Sequence, residues 1–132
     1  MCIRDRQAIG CLTYASIITR PDISVAVNTL SKFMTKPSMQ HWLGIKRILR
    51  YIRGTTNYGL YFSHLNASDN ELIGYSDADC GGDTEDRRST SAFMFQIGNS
   101  LVSWCSCKQA TVAKSTTEAE YVALSCASQE TI

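Results

Sequence analysis

Hydrophobic and polar positions change their spacing near residue 57, and this change divides the chain into a helical part and a strand-rich part. In the first part, apolar residues recur every three or four positions, as expected for helices with one buried side. One such stripe follows the turn signal Thr19–Asp22 and comprises Ile23, Ala26, Val27, Leu30 and Phe33. A second lies between Pro37 and Gly54 and comprises Trp42, Ile45, Ile48, Leu49 and Ile52. The spacing predicts two helices, and Gly54 suits the C-terminal cap of the second.

The second part of the chain contains short runs of aromatic and β-branched residues, which favour strands. The predicted strands are Tyr58–Phe62, Leu72–Asp77, Phe93–Ile97 and Leu101–Cys105. Turn-forming residues separate them closely, as in antiparallel hairpins, and lie at Asn66–Asn70, Gly81–Asp83 and Gly98–Ser100. A capping-box pattern, Ser115-x-x-Glu118, then begins a helix that reaches at least Glu130. The predicted fold class is α/β (α+β): two N-terminal helices, then an antiparallel β-meander and one helix.

Length and composition fit a globular protein with an ordinary core. Hydrophobic residues make up 44% of the 132 positions, and the 19% of charged residues argues against disorder. No apolar run is long enough to span a membrane, and the N-terminal residues do not form a secretory signal. We therefore expect neither a membrane partner nor secretion. The net charge of +1 provides no overall attraction for nucleic acid, so such binding must depend on a local patch.

The second predicted helix carries a local basic patch beside its apolar stripe. Its members are Lys46, Arg47, Arg50 and Arg53. Two interpretations remain open. The patch can be an ordinary solvated face, favoured near a helix C-terminus by the helix dipole, or it can contact nucleic-acid phosphates.

Two aspartates at the end of a predicted strand suggest a site for a divalent cation. Alternation along the strand places Asp77 and Asp79 on one face if the extended backbone continues that far. Two neighbouring carboxylates repel each other, and a bound Mg²⁺ relieves this repulsion because hard cations prefer oxygen ligands. Plain exposure to solvent at a strand end relieves it as well, so both interpretations remain open.

The last helix offers a further carboxylate for such a site. Glu118 and Glu120 point roughly 200° apart on a helix, so both cannot face the same cation. The capping box requires Glu118. Glu120 is therefore the better ligand candidate, and we expect it in the first helical turn, where the helix dipole favours a negative charge.

Cysteines offer an alternative metal site. The chain has six cysteines without a CxxC pair, which favours reduced, structural thiols. A structural zinc site remains a weaker alternative, and its ligands would be Cys80, Cys105, Cys107 and Cys126.

The first six residues, Met1–Arg6, match the translation of an adaptor used to prepare sequencing libraries. The fit includes the sixth codon, because its first two bases allow only serine or arginine. We interpret residues 1–6 as an adaptor scar, expect the gene to continue upstream, and leave these residues out of the fold prediction.

Several ordered motifs resemble the ribonuclease H domain of copia-type retrotransposon Pol polyproteins. These motifs are Gly74–Asp79, Asp86–Ser91, Ser103-Trp104, Lys108-Gln109 and Ser115–Tyr121. The upstream part is similar to the C-terminal end of the reverse transcriptase region and its connection, through Ile9–Tyr14, Thr19–Ile23 and Ile48–Thr55. The resemblance covers nearly everything from Gln7 to Ile132.

This resemblance implies a fragment of an enzyme that cleaves the RNA strand of RNA–DNA hybrids with two Mg²⁺ ions held by four carboxylates. It implies that Asp77 is the first ligand and Glu120 the second, with Asp79 a weaker candidate and the other two carboxylates beyond Ile132. The fragment alone is then inactive. The implied domains are residues 7–57, the end of the reverse transcriptase region, and residues 58–132, the N-terminal half of a ribonuclease H-like domain.

The same resemblance implies the partners and the location of the protein. The partners are an RNA–DNA hybrid, or another nucleic acid, and the remainder of the polyprotein. The location is the cytoplasm, in virus-like particles of the retroelement, or the nucleus. The alternative function is a non-catalytic nucleic-acid-binding module that uses the basic patch.

Overall fold

The chain forms two compact units, Met1–Leu60 and Tyr61–Ile132. A computed structural model describes residues 2–62 and 71–132, so the turn predicted at Asn66–Asn70 lies outside the described residues. Both helices and antiparallel strands are present, which confirms the predicted mixed α/β class. No helix in the described ranges combines the length and the apolarity needed to cross a membrane.

The first unit is helical, with one α-helix and one short 3-10 helix more than the sequence pattern predicts. Its elements are helix α1 (Cys2–Ile18), 3-10 helix η1 (Pro21–Ile23), helix α2 (Ser24–Ser31) and helix α3 (Met39–Gly54). They enclose a common core, which consists of Ile9, Leu12, Ile23, Val27, Ile45 and Ile48. The prediction of two N-terminal helices therefore missed α1.

The spacing of apolar residues does not predict helix α1, because small or polar residues occupy much of the side that packs against the core. Ile9 and Leu12 are buried, whereas Ala8 and Ala15 complete the contact and Ser16 is buried as well. The stretch set aside as an adaptor scar forms part of this helix up to residue 6.

The end of α3 differs from the expected glycine cap. Gly54 is the last helical residue, and Thr55 is the C-cap. The Thr55 hydroxyl donates to the carbonyl of Tyr51 (2.8 Å) and accepts from Nη2 of Arg20 (2.7 Å). Nη1 of Arg20 donates to the Thr55 carbonyl (3.2 Å), so an arginine from a distant turn satisfies the helix end that a left-handed glycine usually closes.

The second unit is an antiparallel meander followed by one helix, as predicted, but the meander has three strands instead of the four expected. Its elements are β1 (Leu72–Ala78), β2 (Thr90–Ile97), β3 (Ser100–Lys108) and helix α4 (Thr116–Glu130), with strand order β1-β2-β3. The predicted strand Tyr58–Phe62 is wrong, because this segment is neither helix nor strand. Its aromatic side chains are exposed, and Tyr61 is 89% accessible, so they lack the packing surface that makes aromatic residues favour strands.

Helix α4 covers one face of the sheet through a row of alanines. Ala119, Ala123 and Ala127 are buried, and the helix contacts β1 and β2. Small side chains allow the helix to approach the sheet closely. Gly74 and Phe95 face each other across β1 and β2 beneath the helix, at the bottom of a shallow groove.

Candidate functional site

Asp77 lies near the end of β1 and is exposed to solvent. It pairs with Ala92 of β2. Gly74 and Ser76 line the groove beneath α4, so the alternation of the strand directs Asp77 toward the opposite face of the sheet. Its carboxylate has no hydrogen-bond or ion-pair partner among the residues the structure describes, which leaves both oxygens available.

Asp79 has a different environment, because β1 ends at Ala78. The backbone N–H of Asp79 donates to the carbonyl of Thr90 (3.1 Å), and its carboxylate Oδ1 accepts from the backbone N–H of Thr90. Asp79 therefore closes the β1–β2 connection instead of standing free beside Asp77. This contact reduces its suitability as a metal ligand.

The two glutamates of α4 lie in different environments. The Ser115 hydroxyl accepts from the backbone N–H of Glu118 (3.1 Å), and Oε2 of Glu118 accepts from the N–H of Lys114 (2.7 Å). Glu120 is exposed and has no partner in the described part of the chain. The helix begins at Thr116, so Glu120 is its fifth residue. It therefore lies just beyond the first turn, whereas the sequence analysis placed it within that turn. Glu118 lies within the first turn, so it is the residue whose negative charge the helix dipole favours.

A buried glutamine links the ends of the two elements that carry Asp77 and Glu120. Nε2 of Gln109 donates to Oγ of Ser91 (2.8 Å) and to the carbonyl of Ala119 (2.9 Å). Ser91 pairs with Ala78, the neighbour of Asp77, and Ala119 directly precedes Glu120. This link, which we call the Gln109 bridge, thus holds both candidate ligands at the same end of the sheet. The residue pattern did not reveal its role, and Lys108-Gln109 stood out only as a motif of the resemblance.

Two further acidic residues near this end contact a lysine. Nζ of Lys108 contacts Oδ2 of Asp83 (2.6 Å) and Oδ2 of Asp86 (2.7 Å). Hydrogen bonding from Lys108 lowers the pKa of the Asp86 carboxyl, and the two carboxylates raise the pKa of Lys108. The Nε of Arg88 also lies 3.5 Å from Asp86. These carboxylates are therefore occupied by protein cations.

Asp77 and Glu120 fit a hard divalent cation in the type of donor but not in number. Both are exposed carboxylates without a protein partner, and oxygen ligands suit Mg²⁺. Within residues 2–62 and 71–132, however, no three His, Cys, Asp or Glu side chains form a group able to hold a metal ion. Water or residues from elsewhere must complete the coordination of any cation held here.

The cysteines proposed as an alternative zinc site do not form a ligand group in the described ranges. Cys80 is exposed, whereas Cys105, Cys107 and Cys126 are partly buried. The pKa of the Cys105 thiol is raised to about 11, mainly because the thiol is partly buried and to a smaller extent because Cys107 lies beside it.

The basic patch lies on the exposed side of α3. All four members, Lys46, Arg47, Arg50 and Arg53, are exposed. None forms a salt bridge with an acidic residue of the described chain, and Nζ of Lys46 lies 5.6 Å from the ring centre of Trp42. The cations are therefore accessible to an anionic partner, although solvent satisfies them equally well.

Comparisons with known proteins identify several close relatives. No family model matches the chain, and no solved structure matches it. It is 50% identical over 126 residues to "Secreted RxLR effector protein 161" of Plasmopara viticola, an alignment that covers 96% of this chain and 87% of that protein. It is 47% identical over 117 residues to the "Retrovirus-related Pol polyprotein from transposon TNT 1-94" of Nicotiana tabacum, covering 89% of this chain and 9% of the polyprotein.

A further relative is the "Retrovirus-related Pol polyprotein from transposon RE1" of Arabidopsis thaliana. The two are 45% identical over 125 residues, which cover 95% of this chain and 8% of the polyprotein. The chain thus spans less than a tenth of the length of these Pol polyproteins. Each of these similarities extends over most of the chain. The chain therefore belongs to the sequence family that contains the Plasmopara viticola protein and the Pol polyproteins of copia-type transposons.

Proposed function

We propose that the chain is the part of a retrotransposon Pol polyprotein that joins the end of the reverse transcriptase region to the first half of a ribonuclease H-like domain. In this proposal, residues 7–57 belong to the former and residues 58–132 to the latter. The complete domain hydrolyses the RNA strand of RNA–DNA hybrids. The observation that carries the proposal is the pair of exposed, unpartnered carboxylates, Asp77 and Glu120, held at one end of the sheet by the Gln109 bridge.

Asp77 and Glu120 would hold Mg²⁺ through their carboxylate oxygens. When bound, Mg²⁺ supplies a water molecule of lowered pKa as the nucleophile and stabilises the charge on the leaving oxygen. Asp79 contributes indirectly, since it fixes the β1–β2 connection beside Asp77. Two carboxylates do not complete such a site, so the remaining ligands come from other parts of the polyprotein.

A chimaeric polyprotein tests this function. Residues 7–132 replace the aligned segment of the TNT 1-94 polyprotein, and cleavage of a labelled RNA strand annealed to DNA is measured with Mg²⁺. We expect cleavage by the chimaera and only background cleavage after Asp77→Asn or Glu120→Gln. Both substitutions preserve the size of the side chain and remove its charge.

Asp86→Asn is the matched control, because it also removes a carboxylate near this end of the sheet but one that Lys108 already occupies. This variant should retain cleavage. Full activity of Asp77→Asn in the chimaera would contradict the proposed role of the carboxylate.

The second candidate function is a non-catalytic nucleic-acid-binding module. The observation that favours it is the exposed basic patch on α3, which lacks acidic partners in the described residues. If all four cations contact phosphates, replacement of the patch by glutamine should reduce the slope of log affinity against log salt by roughly 3 to 4 for duplex DNA. An unchanged slope would exclude the patch. Binding that survives both Asp77→Asn and chelation would separate this function from catalysis.

We also propose a cytoplasmic location, in particles of the retroelement, or a nuclear one, without secretion. The letters RxLR in the name of the Plasmopara viticola relative describe a sequence pattern, and this chain has it at Arg47-Ile48-Leu49-Arg50. Here the tetrapeptide lies within α3, and Ile48 belongs to the core of the first unit. The packing of α3 therefore explains the spacing of this tetrapeptide, since Ile48 faces the core and both arginines are exposed. Detection of an expressed, tagged chain outside intact cells would contradict this proposal.

A further inference from the structure

Positive and negative charges are unevenly divided between the two units. From Gln7 to Leu60 the sequence has seven Lys and Arg residues against a single acidic residue, Asp22. From Tyr61 to Ile132 it has four Lys and Arg residues against ten Asp and Glu residues. A polyanion is therefore attracted to the first unit and repelled by the second. The basic patch of α3 provides exposed cations for such a contact.

Tyr51 presents an ordered aromatic ring beside this patch. It directly follows Arg50, lies four residues after Arg47 on the same helix, and is 43% exposed. Its hydroxyl interacts with the Asp22 carboxylate, which raises the pKa of Tyr51. The guanidinium carbon of Arg20 lies 5.6 Å from the centre of the ring. Because Arg20 is itself buried, it covers the ring from the inside and leaves the other face turned to solvent.

Tyr58 places a second exposed ring just beyond the same end of α3. It is 62% exposed, and its backbone N–H donates to the carbonyl of Thr55 (3.1 Å). The same carbonyl accepts from Nη1 of Arg20 (3.2 Å). One buried arginine therefore covers the ring of Tyr51 and anchors the turn that carries Tyr58. Both tyrosines lie at the helix end that carries Arg53.

Exposed rings beside exposed cations suit unpaired nucleotides better than a duplex. In a duplex the bases already stack on one another, whereas an unpaired base can stack on an aromatic side chain while its phosphate contacts an arginine. We propose that the first unit binds single-stranded nucleic acid, with the phosphates on the basic patch and the bases on Tyr51 and Tyr58. This inference rests on the second candidate function, because it names the ligand of that patch.

Fluorescence anisotropy tests the inference on the full chain without any need for catalysis. The probe is a labelled oligothymidylate of about 12 nucleotides, a length within the range of single-strand binding sites. An oligouridylate of the same length and a DNA duplex are compared with it at equal salt concentration. We expect both single strands to bind more tightly than the duplex, since stacking requires unpaired bases but not the 2′-hydroxyl.

Leucine variants test the two rings separately. Tyr51→Leu and Tyr58→Leu should each weaken single-strand binding roughly tenfold, in the range for the loss of one stacked base. Tyr51→Phe keeps the ring and should bind as the native chain does. Tyr14→Leu is the matched control, because Tyr14 is exposed on α1 and its neighbours three and four residues away are uncharged. Thermal melting identifies any variant that fails to fold, and Tyr58→Leu leaves the contacts of Arg20 in place.

Photocrosslinking provides a second measurement that a general loss of stability does not mimic. In an oligonucleotide that contains 5-iodouracil, ultraviolet light joins the base to an aromatic ring against which it is stacked. We expect mass spectrometry to find the crosslinked base on Tyr51 or Tyr58 and not on Tyr14.

Three results would overturn the single-strand inference while leaving the second candidate function intact. The first is duplex binding as tight as single-strand binding. The second is native single-strand affinity in both Tyr51→Leu and Tyr58→Leu, and the third is an equal loss of affinity in Tyr14→Leu. Replacement of the basic patch by glutamine separates the two proposals. If it leaves single-strand affinity and its salt dependence unchanged, the second candidate function fails, and this inference fails with it.

Discussion

At the residue scale, Gly74 shows how tightly β1 and β2 pack beneath α4. A Cβ atom at this position would lie 2.8 Å from Cδ1 of Phe95 and closer still to Cε1. Phe95 is 7% exposed, so its ring has little room to move. We expect Gly74→Ala to lower the free energy of unfolding of the second unit by about 1–3 kcal/mol, the usual cost of overpacking.

Urea denaturation measures this effect through Trp104, in a Trp42→Phe background that leaves Trp104 as the single tryptophan. Gly59→Ala is the matched control, because no described atom lies within 4 Å of its added Cβ. Equal stability of Gly74→Ala and Gly59→Ala would show that the ring of Phe95 adjusts freely.

Arg20 and Asp22 make the stability of the first unit depend on acid pH. Nη2 of Arg20 lies 2.7 Å from Oδ2 of Asp22, and this hydrogen bond holds the pKa of the Asp22 carboxyl below its ordinary value of 3.8. A lowered folded-state pKa means that the stabilisation is complete above the unfolded pKa. It is lost as pH falls through the folded-state value.

We expect Asp22→Asn to destabilise the first unit by about 1–2 kcal/mol at neutral pH, a value reduced for the partial exposure of the pair. The difference from the native chain should vanish below the folded-state pKa. Urea denaturation at a series of pH values, followed through Trp42 in a Trp104→Phe background, measures it. A difference that is constant down to pH 2 would contradict the ion pair.

At the element scale, α3 contributes to stability through one side only. Ile45 is fully buried among the helices of the first unit, whereas Leu49 is 45% exposed one turn later. Ile45→Ala should cost about 2–5 kcal/mol, because it removes buried methyl groups and leaves a cavity. Leu49→Ala, the matched control on the same helix, should cost much less. Denaturation followed through Trp42 distinguishes them, and similar losses would mean that this assignment of the buried side is wrong.

The sheet presents an apolar surface on the face that α4 does not cover. Ile73, Tyr75 and Met94 lie on this face by strand alternation and are 40%, 52% and 39% exposed. Adjacent exposed apolar groups promote association. We expect the native chain to self-associate with rising concentration and Tyr75→Lys to reduce this, as measured by light scattering. Val25→Lys, at an exposed position of α2, is the control and should have no such effect.

At the scale of the whole molecule, the isolated chain should not cleave RNA–DNA hybrids. This expectation follows from the proposed function, because a two-metal mechanism needs more carboxylates than Asp77 and Glu120. Incubation of a labelled hybrid with the purified chain and Mg²⁺ should leave the RNA intact. Cleavage that Mg²⁺ requires and Asp77→Asn abolishes would contradict this prediction.

Much of the architecture follows from patterns within a few residues of each other. The apolar spacing of α2 and α3, the alternation of β1 to β3 and the cap at Ser115 all act locally, so the sequence alone determines these elements. The preference for Glu120 over Glu118 follows from the same local geometry, and the hydrogen bond from Lys114 to Glu118 agrees with it. Where the pattern is weak, as in α1, or where packing is absent, as in Tyr58–Phe62, local reasoning fails.

Only the tertiary structure decides which distant side chains meet. Arg20 closes α3 at Thr55, 35 residues away, and Gln109 joins Ser91 to α4 across 18 and 10 residues. Lys108 contacts Asp83 and Asp86, whereas the carboxylates of Asp77 and Glu120 have no partner among the residues that the structure describes. Periodicity encodes which side of an element is buried. It does not encode the partner of a buried polar group, because that partner depends on how the elements pack together.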